Sequence, residues 1–350
     1  MTRKLLVTGG AGFIGANFVH YWMQQHPGDS VVVLDALTYA GNQANLAPVA
    51  TVPNFSFIHG DINDTALVER LLQERELDTI VHFAAESHVD RSISGPDAFI
   101  ETNVLGTHSL LKAARKVWLA GDGVPHRFHH VSTDEVYGSL GPLDPAFRED
   151  NQYQPNSPYS ASKAASDHLV RAYHHTYGLN VTTSNCSNNY GPYHYPEKLI
   201  PLAITSLLTG GEIPIYGDGK NIRDWLYVED HARGIEAVLL KGVPGEVYNI
   251  GGENEWDNLA LIRELCTRLD AIFAENPALA AQFPLAPPSK GEASLDRIRF
   301  VQDRAGHDRR YAIDSNRITQ ELGFSPQVQF EEGIAKTIQW FLSNAQWWRQ

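Results

Sequence analysis

The segment Gly9-Gly10-Ala11-Gly12-Phe13-Ile14-Gly15 restricts the fold of this chain more than any other feature. It stands between an apolar strand-like run, Lys4 to Thr8, and a helical stretch, Phe13 to Gln25. Glycines at these spacings permit a tight strand-to-helix turn, close approach of the backbone to a diphosphate, and close packing of helix on strand. The helix that follows offers its first N–H groups and a partial positive charge to whatever lies over the turn. Asp35 closes the next strand-like run, Val31 to Asp35, about 20 residues beyond Gly15. Turn, helix and carboxylate together predict a dinucleotide site. A carboxylate accepts hydrogen bonds from a ribose hydroxyl and repels a 2′-phosphate, so NAD is favoured over NADP.

The same alternation continues through the first half of the chain. Strands are predicted at Phe55 to His59, Thr79 to Phe83, Phe128 to Ser132 and Val181 to Asn185, and helices at Thr65 to Glu74, Pro96 to Lys116 and Ser157 to Tyr177. Runs of Val, Ile, Leu and Phe with little alternation suit strands buried on both faces. The fold class is therefore α/β, a doubly wound parallel sheet of Rossmann type. After about Asn188 the rhythm breaks into shorter pieces interrupted by Gly191-Pro192, Gly210-Gly211 and Gly217-Asp218-Gly219, which reads as a smaller C-terminal α/β cap that binds the substrate. We expect residues 1–187 to form mainly the dinucleotide-binding domain and 188–350 mainly the cap, with the chain able to cross between them. The Pro- and Ala-rich stretch from Glu275 to Pro288 reads as an irregular insertion.

Composition closes off other classes. With 350 residues, 43% of them hydrophobic, the chain can bury a sizeable core. Its 41 acidic and 28 basic residues sum to a net charge of -13, which disfavours nucleic acid and anionic membrane as partners. No apolar run approaches the roughly 18 residues of a spanning helix, and Met1-Thr2-Arg3-Lys4 leads straight into a strand without a leader cleavage site, so a cytoplasmic protein is expected. Cys186 and Cys266 lack a CxxC spacing and read as buried free thiols. The pairs His129-His130 and His174-His175 are adjacent in sequence, so their side chains do not converge, and no metal site is expected.

Chemistry concentrates in two places. Tyr159 and Lys163 lie four apart in a predicted helix and project from one face. A cation near the phenol stabilises phenolate and lowers its pKa, making a base suited to a sugar hydroxyl. Tyr216 and Lys220 share that spacing but enclose a turn, so they have no common helical face. Ser132-Thr133-Asp134-Glu135 falls at the C-terminal end of a strand, where open α/β sheets place their ligands. Two carboxyls in different protonation states can take a proton at one atom and give one at another. Neighbours on a strand point to opposite faces, so Asp134 and Glu135 can serve one sugar only if the chain leaves strand geometry near Thr133. Otherwise they are an exposed acidic turn or a helix cap. Asp61 either flanks an adenine or caps the helix near Thr65. Phe83-Ala84-Ala85-Glu86-Ser87 either lets a cofactor pass close to the backbone or packs as ordinary small residues.

The glycine turn, Thr133, Tyr159 and Lys163 together resemble the extended short-chain dehydrogenase/reductase family over almost the whole chain. Within it, Ser132-Thr133-Asp134-Glu135-Val136-Tyr137-Gly138 is similar to the motif of the dTDP-glucose 4,6-dehydratases, whereas related epimerases lack the acidic pair. His88-Val89-Asp90-Arg91-Ser92, Asn188-Asn189-Tyr190-Gly191-Pro192, Glu197-Lys198-Leu199-Ile200-Pro201 and Arg223-Asp224-Trp225-Leu226 agree. The resemblance implies catalysis by Thr133, Asp134, Glu135, Tyr159 and Lys163 on dTDP-glucose, in a homodimer. It implies NAD contacts from Gly9, Gly12, Phe13, Ile14, Gly15, Asp35, Ala36, Leu37, Thr38, Asp61, Ile62, Phe83, Ala84, Ala85, Ser87, Thr102 and Asn189, besides Tyr159 and Lys163. It assigns Ser87, Thr133, Asn188, Lys198, Leu199, Pro214, Ile215, Tyr216, Arg223, Asn258, Asp303, Arg304, Gly306 and His307 to the sugar nucleotide, with Ala305 standing where proline is expected. An epimerase, a dehydratase of another nucleotide sugar, or a noncatalytic NAD sensor are the alternatives. Asp134-Glu135 argues against the first and Tyr159-Lys163 against the last.

Overall fold

The structure is a computed structural model that describes residues 2–303 and 307–349. The first half alternates as expected: Lys4–Thr8 (β1), Phe13–Gln25 (α1), Ser30–Asp35 (β2), Phe55–His59 (β3), Thr65–Glu74 (α2) and Thr79–His82 (β4). Val89–Ser94 (α3), Asp97–Phe99 (α4), Thr107–Trp118 (α5), Arg127–Thr133 (β5), Pro158–Tyr177 (α6) and Val181–Cys186 (β6) follow. The second half carries Asn188–Tyr190 (β7), Leu199–Leu208 (α7), Ile213–Tyr216 (β8), Ile222–Tyr227 (β9) and Val228–Lys241 (α8). Val247–Ile250 (β10), Glu255–Asp257 (β11), Asn258–Glu275 (α9) and Ile298–Val301 (β12) come next.

Seven strands pair in parallel in the order β10-β6-β5-β4-β1-β2-β3. Leu5, Leu6, Val7 and Val31 to Leu34 are buried on alternate faces, which is why these strands read as unbroken apolar runs. One face is covered by α1, α8 and Asn316–Leu322, the other by α2, α5 and α6. Strand order reverses between β1 and β4, so a crevice opens at the C-terminal ends of these strands.

The chain crosses the division at residue 187. Helix α8 packs on α1, and β10 joins the large sheet beside β6, from Val247↔Thr183 to Ile250↔Cys186. What remains of the second half forms the small sheet β11-β9-β7, the pair β12-β8, and a core around Tyr190, Ile204, Leu265 and Phe330. The Pro- and Ala-rich stretch after α9 buries Leu279, Phe283 and Ala286 against that core.

Two helices set up the site. Ser157 caps α6 through a reciprocal pair of bonds with Ser160, Pro158 occupies the first turn, and Gly178 ends the helix at φ 74°. An N-cap of this kind contributes about 0.5–2 kcal/mol and fixes the rotation of the helix. Tyr159, Lys163 and Asp167 consequently all face inward. The helix expected over Pro96 to Lys116 forms, running without a gap from α4 through a π-helical segment, Ile100–Gly106, into α5. The Asn103 carbonyl accepts from the hydroxyls of Thr107 and Ser166, each at 2.6 Å, and these bonds compete with the ordinary helical ladder. Both cysteines are buried and unbridged. Among the described residues no helix is long and apolar enough to cross a membrane.

Candidate active site

Three of the turn's four glycines, Gly9, Gly12 and Gly15, answer to different demands. Gly9 has φ 70°, and a Cβ there would stand 2.6 Å from the Ala84 nitrogen. A Cβ on Gly15 would stand 2.3 Å from the Gly9 carbonyl oxygen. Both are required by the protein's own packing. A Cβ on Gly12 would meet only the Gly9 oxygen, at 3.3 Å, so its bareness leaves room for a ligand rather than for a neighbour. Gly12 is also the N-cap of α1, with no side-chain cap and no acidic residue in the first turn. This cradle fits the diphosphate of a dinucleotide.

Asp35 accepts from the Ala11 N–H at 2.9 Å and from the Leu37 N–H at 2.8 Å. Burial pushes its pKa up, and these two bonds pull it back. The carboxylate thus pins the turn as well as standing where a ribose would bind. Leu37 takes φ 50°, the Ala36 carbonyl meets His59 at 3.1 Å, and the Gly41 N–H donates to the Thr38 carbonyl at 3.0 Å. Asp61 is not the cap of α2. Asp64 fills that position, accepting from the Leu67 N–H at 2.9 Å, while Asp61 turns onto the Asn63 N–H at 2.8 Å and Ile62 is buried against Gly106. The half-buried loop Phe83 to Ser87 runs past Gly9, with the Phe83 and Ala84 backbone beside the turn. Thr102 lies half-buried in the π-helical segment.

These contacts separate two substitutions. Gly15→Ala forces backbone apart and costs about 1–3 kcal/mol, lowering the melting temperature whether or not cofactor is present. Gly12→Ala is expected to leave the cofactor-free melting temperature near that of the parent while abolishing bound dinucleotide in the purified protein. Calorimetry with and without added cofactor checks both.

At the other side of the crevice β5 ends at Thr133, and Asp134–Tyr137 continues as one 3-10 turn. The chain leaves strand geometry where the acidic pair needs it to. Thr133 Oγ1 accepts from the Glu135 N–H and donates to Asp134 Oδ1, both at 3.3 Å. Asp134 is 1% exposed, and its Oδ2 has no hydrogen-bond partner among the described residues. Burial first, then the charges of Glu135 and Asp224, hold its carboxyl well above the usual carboxylate range, while Arg223 and the Thr133 hydrogen bond act in the other direction. That is the condition of an acid at neutral pH.

Tyr159 is hydrogen-bonded to the Thr133 side chain, but its pKa is not lowered. Burial dominates, and Glu135, Cys186 and Asp134 add to it, pushing the phenol well above its ordinary value. The expectation of a cation-lowered phenol is thus corrected for the protein alone: Lys163 is itself buried, donates to the Val131 carbonyl at 2.9 Å, and does not offset the desolvation of Tyr159.

Of the predicted residues in the second half, Lys198 reaches the loop after β4 and the Arg223 charge acts on Asp134. Lys198 donates to the Ser87 carbonyl at 2.9 Å and stands just ahead of the helix that begins with Leu199, without a side-chain capping bond. Asn188 and Asn189 lie on β7, and Asn189 Oδ1 faces His231 Nδ1 at 3.0 Å. Arg223, 5% exposed, stacks 4.3 Å from the Tyr311 ring and donates to the carbonyls of Ile222 and Asp308. Asn258 opens α9, its Oδ1 buried without a partner among the described residues. Pro214, Ile215 and Tyr216 lie on β8 against β12, and the Asp303–His307 pair, 2.6 Å apart, approaches Gly217 and Tyr216. Arg304, Ala305 and Gly306 lie outside the described residues. A separate groove of about 800 Å³, lined by Arg148, Glu149, His174, Glu246 and Arg317 among others, holds none of these residues.

Two buried polar residues escaped the sequence reading. Asn103 clamps the loop after β4, taking the Glu86 N–H at 2.8 Å and donating to the Glu86 carbonyl and to Ser162 Oγ on α6. Asp167 lies beneath Lys163, against His130 and Ser132. The signals present in sequence were an asparagine inside a helix, which has low propensity there, and an i,i+4 cation–carboxylate pair.

Glycine cradle, Tyr159–Lys163 helix and Thr133 strand end define an extended short-chain dehydrogenase/reductase. The chain matches the family model described as GDP-mannose 4,6 dehydratase over residues 6–337. It is 54% identical over 345 residues to the dTDP-glucose 4,6-dehydratase of Xanthomonas campestris pv. campestris, covering 98% of this chain and 94% of the relative. It is 51% identical to one from Escherichia coli, covering 99% and 96%. The crystal structure of the dTDP-glucose 4,6-dehydratase of Streptomyces venezuelae with NAD bound superposes with a TM-score of 0.88, at 49% identity over 99% of this chain and 98% of that one. A UDP-glucose 4-epimerase from Thermotoga maritima shares the fold at 26% identity and a TM-score of 0.82, over 98% and 99% of the two chains. The chain belongs to the dTDP-glucose 4,6-dehydratase family.

Proposed function

We propose that this chain is a hydro-lyase that uses NAD to convert dTDP-glucose to dTDP-4-keto-6-deoxyglucose. The observation that carries the reading is the acidic pair at the end of β5, with Asp134 buried, its second oxygen without a partner among the described residues, and its carboxyl held well above the usual carboxylate range by burial. NAD, held at the Gly12 end of α1 and by Asp35, supplies a cationic ring that accepts a hydride and later returns it.

Tyr159 takes the proton of the C4 hydroxyl as the hydride leaves C4, giving a 4-ketone. Lys163 and Thr133 favour the phenolate. The ketone acidifies C5, Glu135 removes the C5 proton, and Asp134 gives its proton to the C6 hydroxyl, which departs as water. Hydride returns to C6, and C5 is reprotonated. Two carboxyls in opposite protonation states thus act in one step, which burial of Asp134 and the half-exposed position of Glu135 support. Arg223, Lys198, Ser87, Asn188 and Asn258 hold the nucleotide half, with Pro214 to Tyr216, Asp303 and His307 around it.

The protein acts as a homodimer in the same reading, supported by exposed apolar side chains on the segment from α3 into α5, where Ile93, Ile100 and Leu105 are each about half exposed. A cytoplasmic setting is supported by Cys186 and Cys266, buried without a disulfide. Incubation with dTDP-glucose, UDP-glucose and GDP-mannose in parallel tests the substrate. A 4-keto-6-deoxy product from dTDP-glucose at a kcat/KM at least about tenfold above the other two is expected. Equal turnover of all three would contradict the assignment.

A further inference from the structure

Lys163 and Asp167 stand one turn apart on α6 and both face β5. Lys163 donates to the Val131 carbonyl at 2.9 Å. Asp167 Oδ1 lies 3.0 Å from His130 Nε2, and its Oδ2 accepts from Ser132 Oγ at 2.8 Å. The Tyr153 hydroxyl gives it a further hydrogen bond. Three consecutive residues of β5, immediately before Thr133, are therefore tied to one face of one helix. His130 and Ser132 point the same way because side chains alternate along a strand, while the Val131 carbonyl lies in the strand plane.

Both charged members are buried, Lys163 at 4% and Asp167 at 6% exposure, and a buried ammonium without a partner is costly. The groups around Lys163 are His82, His130 and Cys186, on β4, β5 and β6. Those around Asp167 are His168 on α6, and Tyr137 and Tyr153 ahead of that helix. Burial drives His82 and His130 toward the neutral form and pushes up the Cys186 thiol and both phenols. Among the described residues, Asp167 is thus the carboxylate that faces Lys163. Its own pKa, raised by burial and lowered again by Lys163, Ser132 and Tyr153, comes to about 6.

We propose that Asp167 is a positioning residue for the reaction: the buried counter-charge that keeps Lys163 an ammonium and, through Ser132 and His130, sets the strand end from which Thr133, Asp134 and Glu135 project. The proposal rests on the functional reading above for its kinetic readout and on the fold for its thermal one.

Asp167→Asn keeps the shape and removes the charge. Lys163 and Asp167 make no direct ion pair but act on each other through a buried gap, and loss of a nearby opposite charge moves a pKa by about 1–3 units. The direction is downward for Lys163, because Asp167 raises its affinity for the proton. The alkaline limb of the pH profile for cofactor reduction by dTDP-glucose therefore moves down by about 1 unit or more, with KM changed less than about twofold. Asp167→Glu, which restores the charge, is expected to return the limb most of the way. An Asp167→Asn enzyme whose alkaline limb coincides with the parent's overturns the proposal, however low its melting temperature.

Should Asp167→Asn fail to accumulate, stability of the pair is read directly. Breaking one member of a buried pair costs more than removing both. Lys163→Met/Asp167→Asn is then expected to melt above Lys163→Met alone, and a double variant no more stable than that single variant overturns the pairing. A parent protein that reduces no cofactor with dTDP-glucose would count against the function instead, and the thermal comparison would still decide the pair.

Discussion

Tyr159→Phe is expected to abolish the first oxidation, with cofactor reduction in a single turnover falling by about 100- to 10,000-fold, the range a positioned proton acceptor contributes. The phenol hydrogen-bonds Thr133 at the end of β5 and is buried beside Glu135, so the substitution removes one oxygen without exposing new surface. A fall in kcat with little change in KM separates loss of the base from loss of binding. Stopped-flow absorbance of the reduced cofactor is the measurement, and near-parental formation would remove Tyr159 as the base.

The acidic pair should fail differently. Asp134→Asn and Glu135→Gln are each expected to slow release of the 4-keto-6-deoxy product by about 100- to 10,000-fold while reduced cofactor still appears, because their proton transfers follow the oxidation. Glu135→Gln carries a second signature. The Glu135 charge helps hold the Tyr159 phenol above its ordinary value. Neutralising it lowers that pKa, so the pH at which cofactor reduction reaches half its maximum should move down in this variant. Equal loss of oxidation and elimination, or an upward movement of that midpoint, would contradict the division of labour. Rapid-quench product analysis alongside the absorbance trace reads both.

How much of this could be seen in the chain itself depended on the range of the interactions involved. The glycine turn was legible because each glycine meets a demand set within a few residues or by the adjacent strand. The departure from strand geometry at Thr133 was legible too, since the acidic pair cannot serve one substrate otherwise. Strand β10 was not: Val247–Ile250 is four residues long, and its place beside β6 depends on α8 packing against α1. The π-helical winding at Ile100–Gly106 was not legible either, since the Asn103 carbonyl within it is taken by a Ser166 hydroxyl 63 residues away. The bonds of Asp167 to Ser132 and His130, 35 and 37 residues distant, are likewise set by tertiary contact. The electrostatics of Tyr159 were misread for the same reason. The spacing to Lys163 is visible in sequence, whereas the burial that outweighs it is not.

Turnover of dTDP-glucose in heavy water tests the central claim most directly, by following product mass and the position of deuterium. The account predicts a 4-keto-6-deoxy sugar lighter than substrate by one water and carrying solvent deuterium at C5, because the C5 proton passes through Glu135, with C6 receiving the hydride taken from C4. Recovery of only the starting sugar, or of its C4 epimer, would contradict it.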